Sequence, residues 1–158
     1  MDRKISDLFH RRAPVPVKFM RLPNGEGLPL PVYANDHAVG MDIHAAESVD
    51  LCPGRTFLMK TGFAAELPAG FELQIRSRSG LAAKHGIFVT NGPGTIDPDY
   101  RGELMVALSC VARQTYSIQR GDRIAQMVVA PVYRAEISEV SELSDTVRGA
   151  LGLGSSGR

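Results

Sequence analysis

Phe71-Glu72-Leu73-Gln74-Ile75-Arg76 sets Phe71, Leu73 and Ile75 on one face and Glu72, Gln74 and Arg76 on the other. A period of two is the pattern of a half-buried β-strand. Leu104-Met105-Val106-Ala107-Leu108 reads as a further apolar, largely buried strand. Tyr116-Ser117-Ile118 and Met127-Val128-Val129 follow suit, with Pro131 marking a break or a sheet edge. Between such segments, 16 glycines and 10 prolines interrupt the chain and leave little room for long helices. Many short strands at this spacing predict an all-β sandwich or barrel. One segment departs from the pattern. Ser79-Gly80-Leu81-Ala82-Ala83-Lys84-His85-Gly86 has a capping serine, helix formers and a terminal glycine, which predicts a helix of one to two turns.

The chain has 158 residues, enough for one domain with a single core, and 44% of them are hydrophobic. It contains no apolar run of membrane-spanning length, and its net charge of +1 gives no reason to expect nucleic-acid or membrane-surface partners. Cys52 and Cys110 lie far apart in apolar settings and read as buried, reduced thiols of a cytoplasmic protein. Met1-Asp2-Arg3-Lys4 is not followed by the apolar segment of a secretory signal. His10, His37, His44 and His85 lack the spacing of a metal site. The organisation expected is an amino-terminal arm over residues 1–16, a β core over 17–137, and a carboxyl-terminal arm over 138–158. The last is flexible and glycine-rich.

Five segments carry chemistry. In Ala38-Val39-Gly40-Met41-Asp42-Ile43-His44-Ala45-Ala46, a carboxylate among small residues could support a hydrated Mg²⁺ or orient a turn. In Arg78-Ser79-Gly80-Leu81-Ala82, a hydroxyl and free N–H groups at a helix start suit a phosphate, with arginine as clamp; a plain helix cap is the alternative. Asn91-Gly92-Pro93 leads into Gly94-Thr95-Ile96-Asp97-Pro98-Asp99-Tyr100-Arg101-Gly102-Glu103, read as a loop followed by a strand. Asn91 offers a paired donor and acceptor. Asp97 and Asp99 both sit where a loop carboxylate could act as a base. Gly121-Asp122-Arg123-Ile124-Ala125-Gln126 and the tail from Arg148 through Leu153, Gly154 and Ser155 complete the set.

In this order, from about Leu30 to the carboxyl terminus, the five segments resemble the motifs of the trimeric dUTP pyrophosphatases, or dUTPases. The resemblance implies a jelly-roll-like subunit in a homotrimer that hydrolyses dUTP to dUMP and pyrophosphate with Mg²⁺. That reaction would limit uracil incorporation into DNA and supply dUMP for dTTP synthesis. It implies Asp97 as the residue that activates water for attack on the α-phosphorus, and Asp42 as support for the metal through water. Arg78, Ser79, Gly80 and Gln126 would hold the phosphate chain. Asn91, Gly94 and Ile96, on a β-hairpin, would read the uracil edge. Tyr100 would lie against the deoxyribose and exclude a 2′-hydroxyl. Arg148, Leu153, Gly154 and Ser155 would close over the triphosphate. Leu153 stands where many members of the family carry phenylalanine, a loss of stacking of about 1 kcal/mol. Arg123 reads as a structural ion pair or a substrate contact.

One subunit would supply Asp42, Arg78, Ser79 and Gln126, a second Asn91, Asp97 and Tyr100, and a third Arg148. The dCTP deaminases share the fold and an Ile-Asp-Pro turn, but the position of their catalytic glutamate, counted from Gly102, is Ala107 here. A non-catalytic dUTP-binding protein would keep dUTP without releasing pyrophosphate.

Overall fold

The alternation of Phe71–Arg76 becomes a strand of the computed structural model, which describes residues 13–152. The elements in chain order are β1 (Lys18–Arg21), β2 (Met41–His44), β3 (Val49–Leu51), β4 (Thr56–Lys60), β5 (Phe63–Glu66), β6 (Phe71–Arg76), α1 (Ser79–His85), β7 (Ile87–Val89), β8 (Gly94–Ile96), β9 (Met105–Cys110), β10 (Tyr116–Ile118) and β11 (Arg123–Pro131). Among the described residues one 3-10 turn occurs, over Pro23–Gly25. Four antiparallel sheets result, in the orders β2-β11-β6-β8, β4-β9-β7, β1-β5 and β3-β10. This is the all-β, jelly-roll-like fold that the sequence and its resemblance imply, with one short helix among the described residues.

The core fills the space between the two larger sheets. Leu73 and Ile75 from β6 meet Met127 from β11, Ile43 from β2, and Val106 and Leu108 from β9, all buried. Burying such a leucine or isoleucine contributes roughly 2 kcal/mol each. β11 runs well beyond the Met127–Val129 segment expected. Like β6 and β9 it is paired on both sides, and its alternation is broken where the register with β2 shifts between Arg123 and Ala125. Such a bulge places Ile124 and Ala125 both inside and hides the period-two signal.

Several expectations are corrected. Gly94–Ile96 is already a strand, paired with β6, so the motif segment begins in a sheet rather than a loop. The expected hairpin is a corner between sheets instead: β7 pairs with β9 while β8 pairs with β6. Proline at position 93 has no N–H to extend a ladder across the corner. Arg78, rather than Ser79, occupies the N-cap of α1, without a side-chain cap, while Gly86 ends the helix at φ 63° as expected. Cys52 is exposed, because its side chain lies on the turn after β3; Cys110 is buried, and both thiols are free. Met105 points outward from β9.

After β11, residues 132–152 are exposed and contain no helix or strand. No helix among the described residues is long and apolar enough to cross a membrane.

Candidate functional site

The register of the four-stranded sheet lines up three of the motifs. Asp42 on β2 lies opposite Gln126 on β11, and Gln126 lies opposite Arg76 on β6. Ile75 lies opposite Gly94, so Arg76 is level with Pro93 and the Asn91 corner begins at the same end of the sheet. Two residues beyond Arg76 the chain turns into α1 at Arg78, whose side chain reaches Asp42 of this row.

The side chains close the arrangement. The Asp42 carboxylate receives Arg78 Nε at 3.3 Å on Oδ1 and Arg123 Nη1 at 3.0 Å on Oδ2. Arg78 also donates Nη1 to the Arg123 carbonyl at 2.8 Å. Arg123 therefore makes the structural ion pair that was one of its two readings. Gln126 Nε2 donates to the Ser77 carbonyl at 3.0 Å. Its amide lies against Gly40, where an added Cβ would stand 2.6 Å from Gln126 Oε1.

His44 lies beside this cluster, opposite Arg123. Partial burial lowers its pKa from the ordinary 6.5; Asp42 opposes that, and Arg123 and Arg78 add to it. A cavity of about 230 Å³ adjoins the pair of arginines, floored by Leu81, Tyr116, Ile118 and Ile124.

The second half of the motif set lies elsewhere on the chain. Ile96 pairs with Leu73, which puts Asp97 level with Glu72, four residues from the Arg76 row. At roughly 3.3 Å per residue that is about 13 Å along the strand. Asp97, Ile96 and Tyr100 line one cavity of about 240 Å³ with Leu58, Thr95, Glu103 and Met105. This cavity shares no residue with the one beside Arg78.

The loop around the second cavity is held by its own backbone and by Glu103. Tyr100 N donates to the Asp97 carbonyl at 3.2 Å, and Tyr100 Oη donates to the Glu103 carbonyl at 3.0 Å. The ring lies over Gly102, where an added Cβ would stand 2.6 Å from Tyr100 Cζ. Glu103 Oε1 accepts from Asn24 Nδ2 at 2.7 Å and from Gly62 N at 2.8 Å. Asp97 is exposed, and its carboxylate has no hydrogen-bond partner among the described residues. The Asn91 amide is likewise unengaged, packed on Gly94.

Ser79 and Gly80 are exposed at the start of α1. Arg148 turns back on its own segment, donating Nε to the Leu151 carbonyl at 3.0 Å. Leu153, Gly154 and Ser155 lie outside the described residues. Sequence reasoning missed Ser77 and Gly40, which hold Gln126. Their partners are distant in sequence, and only the glycine within a motif hinted at a close approach. Among the described residues no three His, Cys, Asp or Glu side chains gather as a metal cluster.

The dUTPase family pattern matches residues 27–157. The chain belongs to the dUTPase family. Deoxyuridine 5'-triphosphate nucleotidohydrolase of Rhizobium etli is 51% identical over 153 residues, covering 94% of this chain and 98% of that protein. The Anaplasma marginale protein of the same name is 55% identical over 143 residues, covering 89% and 97%. Among solved structures, a Staphylococcus bacteriophage 80alpha dUTPase with dUPNHPP superposes with a TM-score of 0.78 at 26% identity, covering 90% of this chain and 99% of that one. A dUTPase mutant from phage phi11 of S. aureus, described with a structural Mg(II) ion, gives a TM-score of 0.74 at 26% identity, covering 82% and 99%.

Proposed function

We propose that this chain hydrolyses dUTP to dUMP and pyrophosphate, at sites assembled from two halves that different copies of the chain contribute. The observation that carries the reading is the row formed by Asp42, Gln126 and Arg78 at one end of the sheet, with Asp97 about 13 Å away on the same chain. A nucleotide that must meet both a phosphate clamp and a water-activating carboxylate is served by two copies in a homotrimer. A third copy lends Arg148.

In that arrangement Arg78 and Gln126 hold the phosphate chain, with Ser79 and Gly80 presenting a hydroxyl and backbone N–H groups. Arg123 keeps Asp42 and Arg78 aligned before substrate arrives. The Asn91 corner takes the uracil, supported by the backbone of Gly94 and Ile96. Tyr100, pinned by its bond to the Glu103 carbonyl, fills the space a 2′-hydroxyl would need. Asp97, exposed and unpaired, is free to take the proton of the attacking water. Loss of that proton raises the nucleophilicity of the oxygen, which attacks the α-phosphorus in line with the departing pyrophosphate. Arg148, Leu153, Gly154 and Ser155 close over the triphosphate.

The residues fit a Mg²⁺ bound by substrate rather than one caged by protein. Both oxygens of Asp42 already face guanidinium groups, so a direct carboxylate bond to the ion would break an ion pair. Each oxygen keeps a further lone pair for a metal-bound water, and Mg²⁺ characteristically retains several waters. The ion supplies charge neutralisation on the phosphate oxygens. Asp42 would hold such an ion through its bound water.

The test is pyrophosphate release from dUTP, UTP, dCTP and dTTP, with Asp97→Asn as control. Release from dUTP alone, lost in the variant while dUTP binding persists, supports both the reaction and the role of Asp97. Full activity of Asp97→Asn removes that residue from the mechanism.

A further inference from the structure

Ser77 stands between two of the motifs and belongs to neither. Its carbonyl accepts Gln126 Nε2 at 3.0 Å, and its hydroxyl oxygen accepts the Val89 N–H at 2.9 Å. The second bond needs an explanation, because Val89 is on β7, in a different sheet from β6 and β11. Thr90 N donates to the Ala107 carbonyl of β9 at 2.8 Å. Successive amides of a strand point to opposite sides, so the Val89 N–H faces away from β9, off the open edge of the β4-β9-β7 sheet. An edge amide of this kind requires an acceptor or water. Ser77 Oγ is that acceptor, delivered from the end of β6 just as the chain turns toward Arg78.

The position of this bond is what gives it meaning. Immediately after Val89 the chain leaves one sheet, turns through Thr90–Pro93, and enters β8 of the other. Gly92 N closes the turn on the Val89 carbonyl at 3.1 Å. Val89 is thus the fixed foot of the corner that carries Asn91, and Ser77 holds that foot against the phosphate turn. We infer that Ser77 is a positioning residue for base selection, setting the height of the Asn91 corner relative to the Arg78 turn through Val89. This inference rests on the reading of the corner as the uracil site.

Kinetics of Ser77→Ala and Ser77→Thr test it, with inorganic tripolyphosphate as a probe of the phosphate site without a base. Loss of one hydrogen bond at the foot predicts a KM for dUTP raised about three- to tenfold. Preference for dUTP over dTTP should narrow, inhibition by tripolyphosphate should stay unchanged, and Ser77→Thr should recover the wild-type values. A Ser77→Ala enzyme with a lowered Tm but wild-type KM and selectivity overturns the inference, as does an equal loss of tripolyphosphate affinity. Asn91→Ala, measured alongside, separates the two failures. Unchanged base selection there overturns the corner reading itself, whereas lost selection there with Ser77→Ala unaffected overturns only the role of Ser77.

Discussion

Gly40→Ala adds one methyl group at a position where the backbone allows it, since Gly40 is not among the residues with positive φ. The difficulty is the neighbour. The new Cβ would stand 2.6 Å from Gln126 Oε1, 3.2 Å from its Cβ and 3.3 Å from its Cδ. The amide end alone could swing aside, but it is tied to the Ser77 carbonyl at 3.0 Å, and the contacts with Cβ and Cδ require the whole side chain to shift. Giving up that hydrogen bond costs about 1 kcal/mol, and an off-rotamer side chain about another 1 kcal/mol. The held pose of Gln126 is then disfavoured by about 2 kcal/mol, which corresponds to about thirtyfold.

Steady-state hydrolysis of dUTP should therefore show kcat/KM reduced about ten- to thirtyfold. Thermal unfolding should shift by only a few degrees, because the core beneath Gln126 is untouched. A double-mutant cycle decides the cause: in a Gln126→Ala background, Gly40→Ala should cost almost nothing. Additive losses in the cycle, or wild-type activity of Gly40→Ala alone, would refute the argument that this glycine exists to seat Gln126.

Other outcomes follow from the same geometry. Partial burial lowers the His44 pKa from its ordinary 6.5, with Asp42 opposing and Arg123 and Arg78 adding to the shift. On acidification below about 6.5 the unfolded chain binds a proton that the folded chain resists, so stability should fall there and be unaffected by this group at higher pH; His44→Gln should flatten that arm of the stability–pH curve, and an unchanged slope would clear His44 of the effect. Tyr100→Ala should admit UTP, and Gly102→Ala should do so in part by displacing the ring, both read as the ratio of dUTP to UTP turnover; intact rejection of UTP by Tyr100→Ala would end the sugar-gate reading. Deleting residues 148–158 should reduce turnover at least tenfold and leave the unfolding temperature nearly unchanged, since Arg148 to Gly152 are exposed and bond only within their own segment; a collapse in Tm would show that this segment supports the core.

Local pattern explains what could be read from the sequence. β6 was visible because one face is buried and the other is polar, and α1 because Gly86 stops it in a left-handed conformation. β11 was half hidden: bulged at Ile124, it has no clean alternation. The chain at Asn91 forms a corner rather than the hairpin that the resemblance implies, because strand partners are chosen by the sheets on either side, not by the turn between them. Cys52 has apolar neighbours in sequence but an exposed place in space. The motif residues were recognisable individually, whereas what fixes them was not. Asp42 meets Arg123 across 81 residues of chain, and Gln126 meets Ser77 across 49.

The span of β6 between Arg76 and Glu72 has a genetic consequence. On the proposed assembly it keeps the clamp and the base apart on every chain, so a defect would strike one half only. Where two alleles are expressed together, a product crippled at Arg78 and another crippled at Asp97 would co-assemble, and some of their shared sites would be built entirely from sound halves. Lesions on opposite sides of that span should complement each other, while lesions on the same side should not. The map of complementing pairs would trace the boundary between the two half-sites without any structure of the assembly.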